Sequence, residues 1–127
     1  MTIAYRALNR CLVLSGVFAT ILVAAWVAPV RADDSDDIQA KISQSSSEAN
    51  DYEAQALQAE SNGDNATACT AYRNAAIAWR EAARAGTSLI TESLRDKSID
   101  PDIAEKNVDI MVNNSSIDDQ HADAVCN

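Results

Sequence analysis

Beyond Ala32, almost nothing in this sequence interrupts a helix. The stretch 33–127 contains 17 alanines, only two glycines, Gly63 and Gly86, and one proline, Pro101. Alanine has the highest helix propensity, and the stretch lacks the alternating β-branched pattern of a strand. The sequence therefore predicts an all-α fold, in which Gly63 and Pro101 separate three main antiparallel helices.

Apolar residues in each predicted helix recur every three or four positions, which places them on one helical face. We expect the first helix over 35–62, the second over 65–97 and the third from Pro101 onward. Three side chains are expected to cap the N-termini of these helices: Ser35, Asp64 and Asp100.

The spacing also predicts which residues face inward. In the first helix they are Ile38, Ile42, Ser45, Ala49, Tyr52, Ala56 and Ala59. In the second helix they are Ala68, Tyr72, Ala75, Trp79, Ala82, Gly86 and Leu89. In the third helix the predicted row repeats every seven residues, and it consists of Ile103, Ile110, Ile117 and Ala124, flanked by Ala104, Val108, Met111 and Val125.

The sequence leaves the continuity of the helices open at three places. The serine run 45–47 can fray or break the first helix, and the polar run 113–116 can interrupt the third. Gly86 either ends the second helix early or admits the close approach of a neighbour. A glycine in a helix interior costs roughly 1 kcal/mol relative to alanine, so its presence there needs a reason.

The segment 1–32 has the pattern of a bacterial export signal. Arg6 and Arg10 precede an apolar run over 11–30, and Val30-Arg31-Ala32 matches the small-residue pattern that a signal peptidase recognises. We predict cleavage after Ala32. The signal peptide would then be 1–32.

Cleavage would make Asp33 the first residue of a mature exported domain, 33–127. The apolar run is also long enough to cross a bilayer, so an uncleaved N-terminal membrane anchor is the alternative. In both cases we expect the domain in the periplasm or outside the cell.

Removal of the signal makes the protein more acidic. The signal carries three arginines and no acidic residue, so the net charge changes from −9 to −9 − 3 = −12. This charge argues against nucleic acid or an anionic membrane as a partner. It suits a plainly soluble domain, or one that binds a basic partner or cations.

Two cysteines stay in the mature domain, Cys69 and Cys126. An even pair in an oxidising compartment predicts a disulfide. The helix from Cys69 to Lys97 would be about 42 Å long, and the helix from Pro101 to Cys126 about 38 Å. Because these lengths nearly match, antiparallel packing brings the two cysteines together.

The segment around Gly63 and Asp64 resembles a single tetratricopeptide repeat over about 34 residues, from Ala49 to roughly Ala82. The glycine and the aspartate match the family's turn. The family's characteristic small and aromatic positions are occupied by Tyr52, Ala56, Ala68, Tyr72 and Ala75, whereas Gln55 and Arg80 depart from the pattern. The resemblance implies a hairpin of two antiparallel helices and, less directly, peptide binding.

No catalytic or metal-binding pattern stands out in the mature domain. His121 is its only histidine, and no nucleophile is placed beside it by the sequence. Two thiols alone cannot make a structural zinc site, and the acidic run 33–37 lacks the glycine and distal glutamate of a calcium loop. We therefore expect no enzymatic activity, no cofactor and no metal.

Two rows of polar residues are candidates for an interaction surface. They are Arg73, Arg80 and Arg84 along the second helix, and Asn107, Asn114 and His121 at seven-residue spacing along the third. For the second row, the alternative is an ordinary stripe of polar residues that faces solvent or lies at the boundary of the core.

For the arginine row the alternative is pairing with the acidic first helix. Reflection about the turn at Gly63 places Arg73 near Glu53 and Arg80 near Glu48. Such surface pairs contribute only ~0–1 kcal/mol each.

These observations predict a non-enzymatic binding or interaction protein of the envelope or the secreted fraction, whose partner is a protein or a peptide. The alternative is an inhibitor or immunity-type protein that blocks a secreted basic toxin. The sequence leaves open the identity of the partner and the oligomeric state.

Overall fold

A computed structural model describes residues 34–127 with the exception of residue 98. The predicted signal and its cleavage site at Ala32 and Asp33 lie outside these residues. The described part forms three helices, α1 (Asp34–Ser61), α2 (Asn65–Ser93) and α3 (Pro101–Val125), which confirms the predicted all-α fold. None of these described helices is sufficiently long and apolar to cross a membrane.

Helix α2 is the middle helix and packs against both α1 and α3. The turn between α1 and α2 uses Gly63 with φ of 76°, a backbone conformation that glycine adopts without strain. Asp64 then caps α2, because its carboxylate accepts hydrogen bonds from Thr67 N at 3.0 Å and from Thr67 Oγ1 at 2.6 Å. The short turn makes α1 and α2 an antiparallel hairpin.

Asp100 caps α3 and Pro101 is its first residue, as predicted. The Asp100 carboxylate accepts a hydrogen bond of 2.9 Å from the backbone N–H of Asp102. The predicted cap at Ser35 is wrong, because Ser35 already lies inside α1 and is buried. Helix α2 ends at Ser93, short of the predicted end at Lys97.

All three helices are continuous where the sequence left their continuity open. Helix α1 runs through residues 45–47, and α3 runs through 113–116. Gly86 is buried inside α2, and a Cβ atom placed on it would lie 2.7 Å from Cγ2 of Val108. Gly86 is therefore a point of close approach between α3 and α2, not the end of a helix.

The core consists mainly of alanines around two large buried side chains, Trp79 and Met111. One cluster joins all three helices around these two residues, and a second forms around Tyr72. The predicted inward rows of the first two helices are buried or half-buried throughout. Small residues let the backbones approach closely, and Trp79 fills the space between the three helices.

The Cys69–Cys126 disulfide joins the start of α2 to the end of α3, with its two Cα atoms 5.2 Å apart. The predicted bridge is therefore confirmed. It closes the hairpin of α2 and α3 at the end opposite their connecting loop. The close approach of Gly86 and Val108 holds the same pair of helices nearer to that loop.

The predicted inward row of α3 is wrong. Ile103 and Ile117 are 44% and 41% exposed. The buried residues of α3 are Ala104 and Met111, which were predicted to flank that row, together with Ser115, Asp118 and Ala122.

The rotation of α3 about its own axis explains this difference. At about 3.6 residues per turn, the step from Val108 to Cys126 is five full turns, so both residues lie on the same side of α3. Val108 contacts Gly86 and Cys126 is bonded to Cys69, so this side faces α2. These two contacts fix the rotation and turn the isoleucines away from α2.

Candidate functional site

Helices α1 and α3 both pack on the middle helix, and a side-chain hydrogen bond between Asp118 and Glu53 joins them directly. We call the group of side chains around this contact the α1–α3 seam. It is defined by Glu53 and Glu60 from α1, Tyr72 and Trp79 from α2, and Asp118 and His121 from α3. The two glutamates are a heptad apart in the sequence, as are the two aromatic residues. In an antiparallel hairpin this equal spacing brings each glutamate to one aromatic residue.

Both aromatic side chains donate hydrogen bonds to these glutamates. Trp79 Nε1 donates to Glu53 Oε1 at 2.7 Å, and the Tyr72 hydroxyl donates to Glu60 Oε2 at 3.2 Å. Trp79 and Tyr72 are both buried, so each has its single polar group satisfied by an α1 carboxylate. These two hydrogen bonds hold the carboxylates of both glutamates beside α2.

A pair of carboxyl groups bridges α1 and α3. Asp118 is only 3% exposed, and its side chain forms a hydrogen bond with Glu53. Burial, followed by the charge of Glu53, raises the pKa of Asp118 to about 8. Two carboxyl groups form a hydrogen bond only if one of them carries a proton, so Asp118 is protonated and donates to Glu53 near neutral pH.

The protonated state of Asp118 also agrees with its surroundings. Its Oδ2 atom is enclosed and accepts no hydrogen bond. An ionised carboxylate in that position would lack the donors that normally stabilise a buried charge. Instead, the proton makes the buried group neutral and connects α3 to α1.

His121 lies at the end of the seam against Tyr72. The two ring centroids are 5.1 Å apart with an interplanar angle of 64°, an edge-to-face arrangement. Burial and the charge of Glu60 raise the pKa of Tyr72 above its ordinary value. Tyr72 therefore keeps its proton and acts as a hydrogen-bond donor throughout the physiological range.

In the predicted row of Asn107, Asn114 and His121, His121 belongs to the seam and the two asparagines continue the row along α3. All three side chains are half-buried. Asn114 Nδ2 is enclosed without a hydrogen-bond partner, and so is Ser46 Oγ on α1. The structure thus brings one of the two predicted rows to the seam. It also leaves a polar atom of that row unsatisfied.

The other predicted row, Arg73, Arg80 and Arg84, is exposed on α2. Arg80 pairs with Asp119 of α3 at 2.9 Å, and not with Glu48 as the reflection about the turn predicted. Glu53 accepts its hydrogen bond from Trp79 and does not pair with Arg73. The buried face of α2 turns Trp79 toward α1, so the arginines lie away from the first helix.

Sequence reasoning missed Glu53, Glu60 and Asp118 as site residues. The shared heptad spacing of the two glutamates and the two aromatic residues was a usable signal. Asp118 had none, because its neighbours Asp119 and Asp123 look the same in the sequence. Only the rotation of α3 distinguishes the buried aspartate from the other two.

The α1–α3 seam is acidic, and the carboxyl group of Asp118 within it holds a proton. Among residues 34–127 apart from 98, no cluster of three or more histidine, cysteine, aspartate and glutamate side chains has an arrangement suited to a metal ion. Glu53 and Glu60 face aromatic donors and carry no basic partner in this described part. Their negative charge is therefore stabilised by hydrogen bonds and by no lysine or arginine within the described residues.

Comparisons of the chain with protein-family models, curated proteins and solved structures return no match. The tetratricopeptide-like character of the α1–α2 hairpin therefore stays a prediction.

Proposed function

We propose that the mature domain is a non-enzymatic binding protein of the bacterial envelope or the secreted fraction. The observation that carries this proposal is the face of α3 that points away from α2. Ile103 and Ile117 lie on this face and are 44% and 41% exposed. Half-buried Ile110 lies between them, and exposed Ala124 continues the row. An apolar row kept on the surface of a small, highly charged domain favours a protein contact.

The proposed location rests on the sequence of the segment 1–32 and on the disulfide. A disulfide persists in an oxidising compartment, and such compartments lie outside the cytoplasm. The chain needs this staple, because an alanine-rich core of three helices buries few large side chains. Both features support export.

The alternative is an inhibitor or immunity-type protein that blocks a secreted basic toxin. The mature charge of −9 − 3 = −12 supports it, because opposite charge accelerates the encounter of such pairs. A toxin gene next to the gene for this protein would favour this alternative. Inhibition of that toxin by the purified domain would establish it.

The main proposal is tested with the mature domain, residues 33–127, immobilised in its oxidised form. We expect it to retain one protein stoichiometrically from envelope extracts of the producing bacterium, and chemical cross-linking should place that partner on α3. The control is the same domain with Ile103→Gln and Ile117→Gln together, because these neutral replacements remove the two exposed isoleucines of the row without changing charge. Catalytic turnover that a single substitution abolishes would contradict the proposal.

A further inference from the structure

We propose that the α1–α3 seam and the exposed face of α3 together bind a basic amphipathic helix of a partner protein. This inference rests on the proposed binding function and names the surface and the chemical class of the partner. The docking surface consists of the isoleucine row Ile103, Ile110 and Ile117, the polar row Asn107, Asn114 and His121, and the seam carboxylates Glu53 and Glu60.

The two rows of α3 form a heptad pattern. Each isoleucine precedes one member of the polar row by four positions, so the two rows lie side by side along the helix. In a coiled coil such rows occupy the two contact positions of the heptad, and an asparagine in this line fixes the register of the partner. The row from Ile103 to Ala124 covers about 32 Å of helix.

The polar row lies between the isoleucines and the seam. Asp118 contacts Glu53 of α1, so the Asp118 side of α3 faces α1. At about 100° per residue, Asn114 and His121 lie about 40° and 60° from Asp118 around α3, and Ile110 lies about 80° from it. A helix that lies on the isoleucines therefore has one flank over the seam.

Charge identifies the partner as basic. Glu53 and Glu60 belong to the seam, and each faces an aromatic hydrogen-bond donor in place of a cation. The mature domain as a whole carries −12 (−9 − 3). A lysine-rich or arginine-rich flank on the docked helix would meet these carboxylates, while its apolar residues cover the isoleucines.

The same charge disfavours a second copy of this chain as the occupant. Two copies that pack through α3 would bring two strongly acidic domains together, and the like charges would repel. A copy also offers no basic flank on α3, where Lys106 is the one lysine or arginine of the helix. Self-association is therefore an outcome that the test must distinguish.

The test uses the oxidised mature domain and a synthetic peptide of about 20 residues, with leucines at heptad contact positions and lysines elsewhere. A peptide of the same composition in scrambled order is the control. Isothermal titration calorimetry should give one-to-one binding of the heptad peptide, with a negative heat-capacity change from apolar burial. The scrambled peptide should bind at least tenfold more weakly.

Matched variants locate the contact. We expect Ile103→Gln and Ile117→Gln each to weaken binding by about tenfold, or about 1.4 kcal/mol. Val112→Gln should have no effect, because Val112 is an exposed apolar residue on another face of α3. Glu60→Gln should reduce affinity and its salt dependence, whereas Asp123→Asn, an exposed acidic position away from the seam, should not. Circular dichroism of each variant checks that it is folded.

The outcomes separate this inference from the broader proposal. Equal binding of the scrambled peptide, or equal loss with Val112→Gln, would overturn the docking surface. Concentration-dependent dimerisation in sedimentation equilibrium, abolished by Ile117→Gln, would make a second copy the occupant and also overturn it. If the unsubstituted domain retains an envelope protein specifically but binds the heptad peptide no better than the scrambled one, the binding function stands and the basic helix is rejected as the occupant.

Discussion

Asp118 of α3 forms a hydrogen bond with Glu53 of α1, although both side chains are carboxyl groups. Glu53 at the same time accepts the indole N–H of Trp79 at 2.7 Å. One glutamate therefore joins the outer helices to the middle helix. The link to α3 depends on a single proton, and this makes the packing of the three helices sensitive to pH.

The first prediction concerns stability and pH. The pKa of Asp118 is about 8 in the folded domain, against an ordinary value of 3.8, so the folded state binds the proton more tightly than the unfolded state. The resulting stabilisation is fully present below about pH 4 and is lost as the pH rises through about 8. We expect the free energy of unfolding to be lower at pH 9 than at pH 5.5 by a few kcal/mol. Urea titrations at several pH values measure it.

Asp118→Asn provides the control for this prediction. The amide is neutral at every pH and can donate a hydrogen bond to Glu53. The variant should therefore be more stable than the wild type at pH 9 and should lose most of the decline between pH 5.5 and 9. Asp123→Asn, on an exposed part of the same helix, should leave the decline intact. An unchanged decline in Asp118→Asn would assign the titration to another group.

The second prediction concerns Gly86. Alanine normally stabilises a helix interior by up to about 1 kcal/mol relative to glycine. At Gly86 the new Cβ atom would lie 2.7 Å from Cγ2 of Val108, and the short, branched valine has little freedom to move away. We therefore expect Gly86→Ala to destabilise the domain by about 1–3 kcal/mol, measured by thermal and urea unfolding.

Removal of the clash should reverse this loss. Val108→Ala alone opens a gap, but in the double variant with Gly86→Ala the new methyl group occupies part of it. The double-mutant cycle should therefore give a favourable coupling of at least about 1 kcal/mol. Ser88→Ala, at an exposed position of α2, should change stability by only a few tenths of a kcal/mol. Additive effects of the first two substitutions would argue against close packing at Gly86.

The helices of this domain were predictable because their signals are local. Two side-chain caps, Asp64 and Asp100, precede the second and third helices, and the inward rows of the first two follow their helical spacing. The disulfide was predictable because Cys69 and Cys126 are the two cysteines of the predicted mature domain and the nearly equal helix lengths bring them together. The continuity of α3 through residues 113–116 was not predictable from the sequence. Packing against α2 outweighs the weak helix propensity of asparagine and serine there.

The rotation of α3 about its own axis could not be predicted from local sequence signals. In a hydrophobic pattern, three isoleucines at seven-residue spacing count for more than Ala104, Ala122 and the polar Ser115. The isoleucines nevertheless face away from α2. The rotation is set by non-local contacts, the Cys69–Cys126 bridge and the approach of Val108 to Gly86. The buried Asp118 follows from that rotation. A polar residue took a core position because Glu53, on another helix, was there to accept its hydrogen bond.

The third prediction concerns the surface pair of Arg80 and Asp119. Their side chains are 45% and 46% exposed, so solvent screens the 2.9 Å contact. Arg80→Gln should cost less than about 1 kcal/mol, and the loss should disappear at high salt. A larger, salt-independent loss would mean that the arginine stem contributes by packing against α3.

The fourth prediction concerns the bridge between Cys69 and Cys126. Mass spectrometry of the domain of residues 33–127 under non-reducing conditions should show no free thiol, whereas two free thiols would contradict the bridge. The two cysteines are 57 residues apart in the sequence. In the chain-entropy model a loop of this size contributes roughly 4 kcal/mol. The double variant Cys69→Ser, Cys126→Ser should lose about that amount in urea unfolding.

The effect of reduction should also be unequal along the chain. The hairpin of α1 and α2 keeps its tight turn at Gly63 and the hydrogen bonds of Trp79 and Tyr72 to α1. Helix α3 loses the covalent link at its C-terminal end, where the packing of Ala122 and Val125 near Tyr72 still holds it. Hydrogen exchange in the double variant should therefore accelerate first in the last turns of α3. Uniform acceleration in all three helices would mean that the domain unfolds as one cooperative unit.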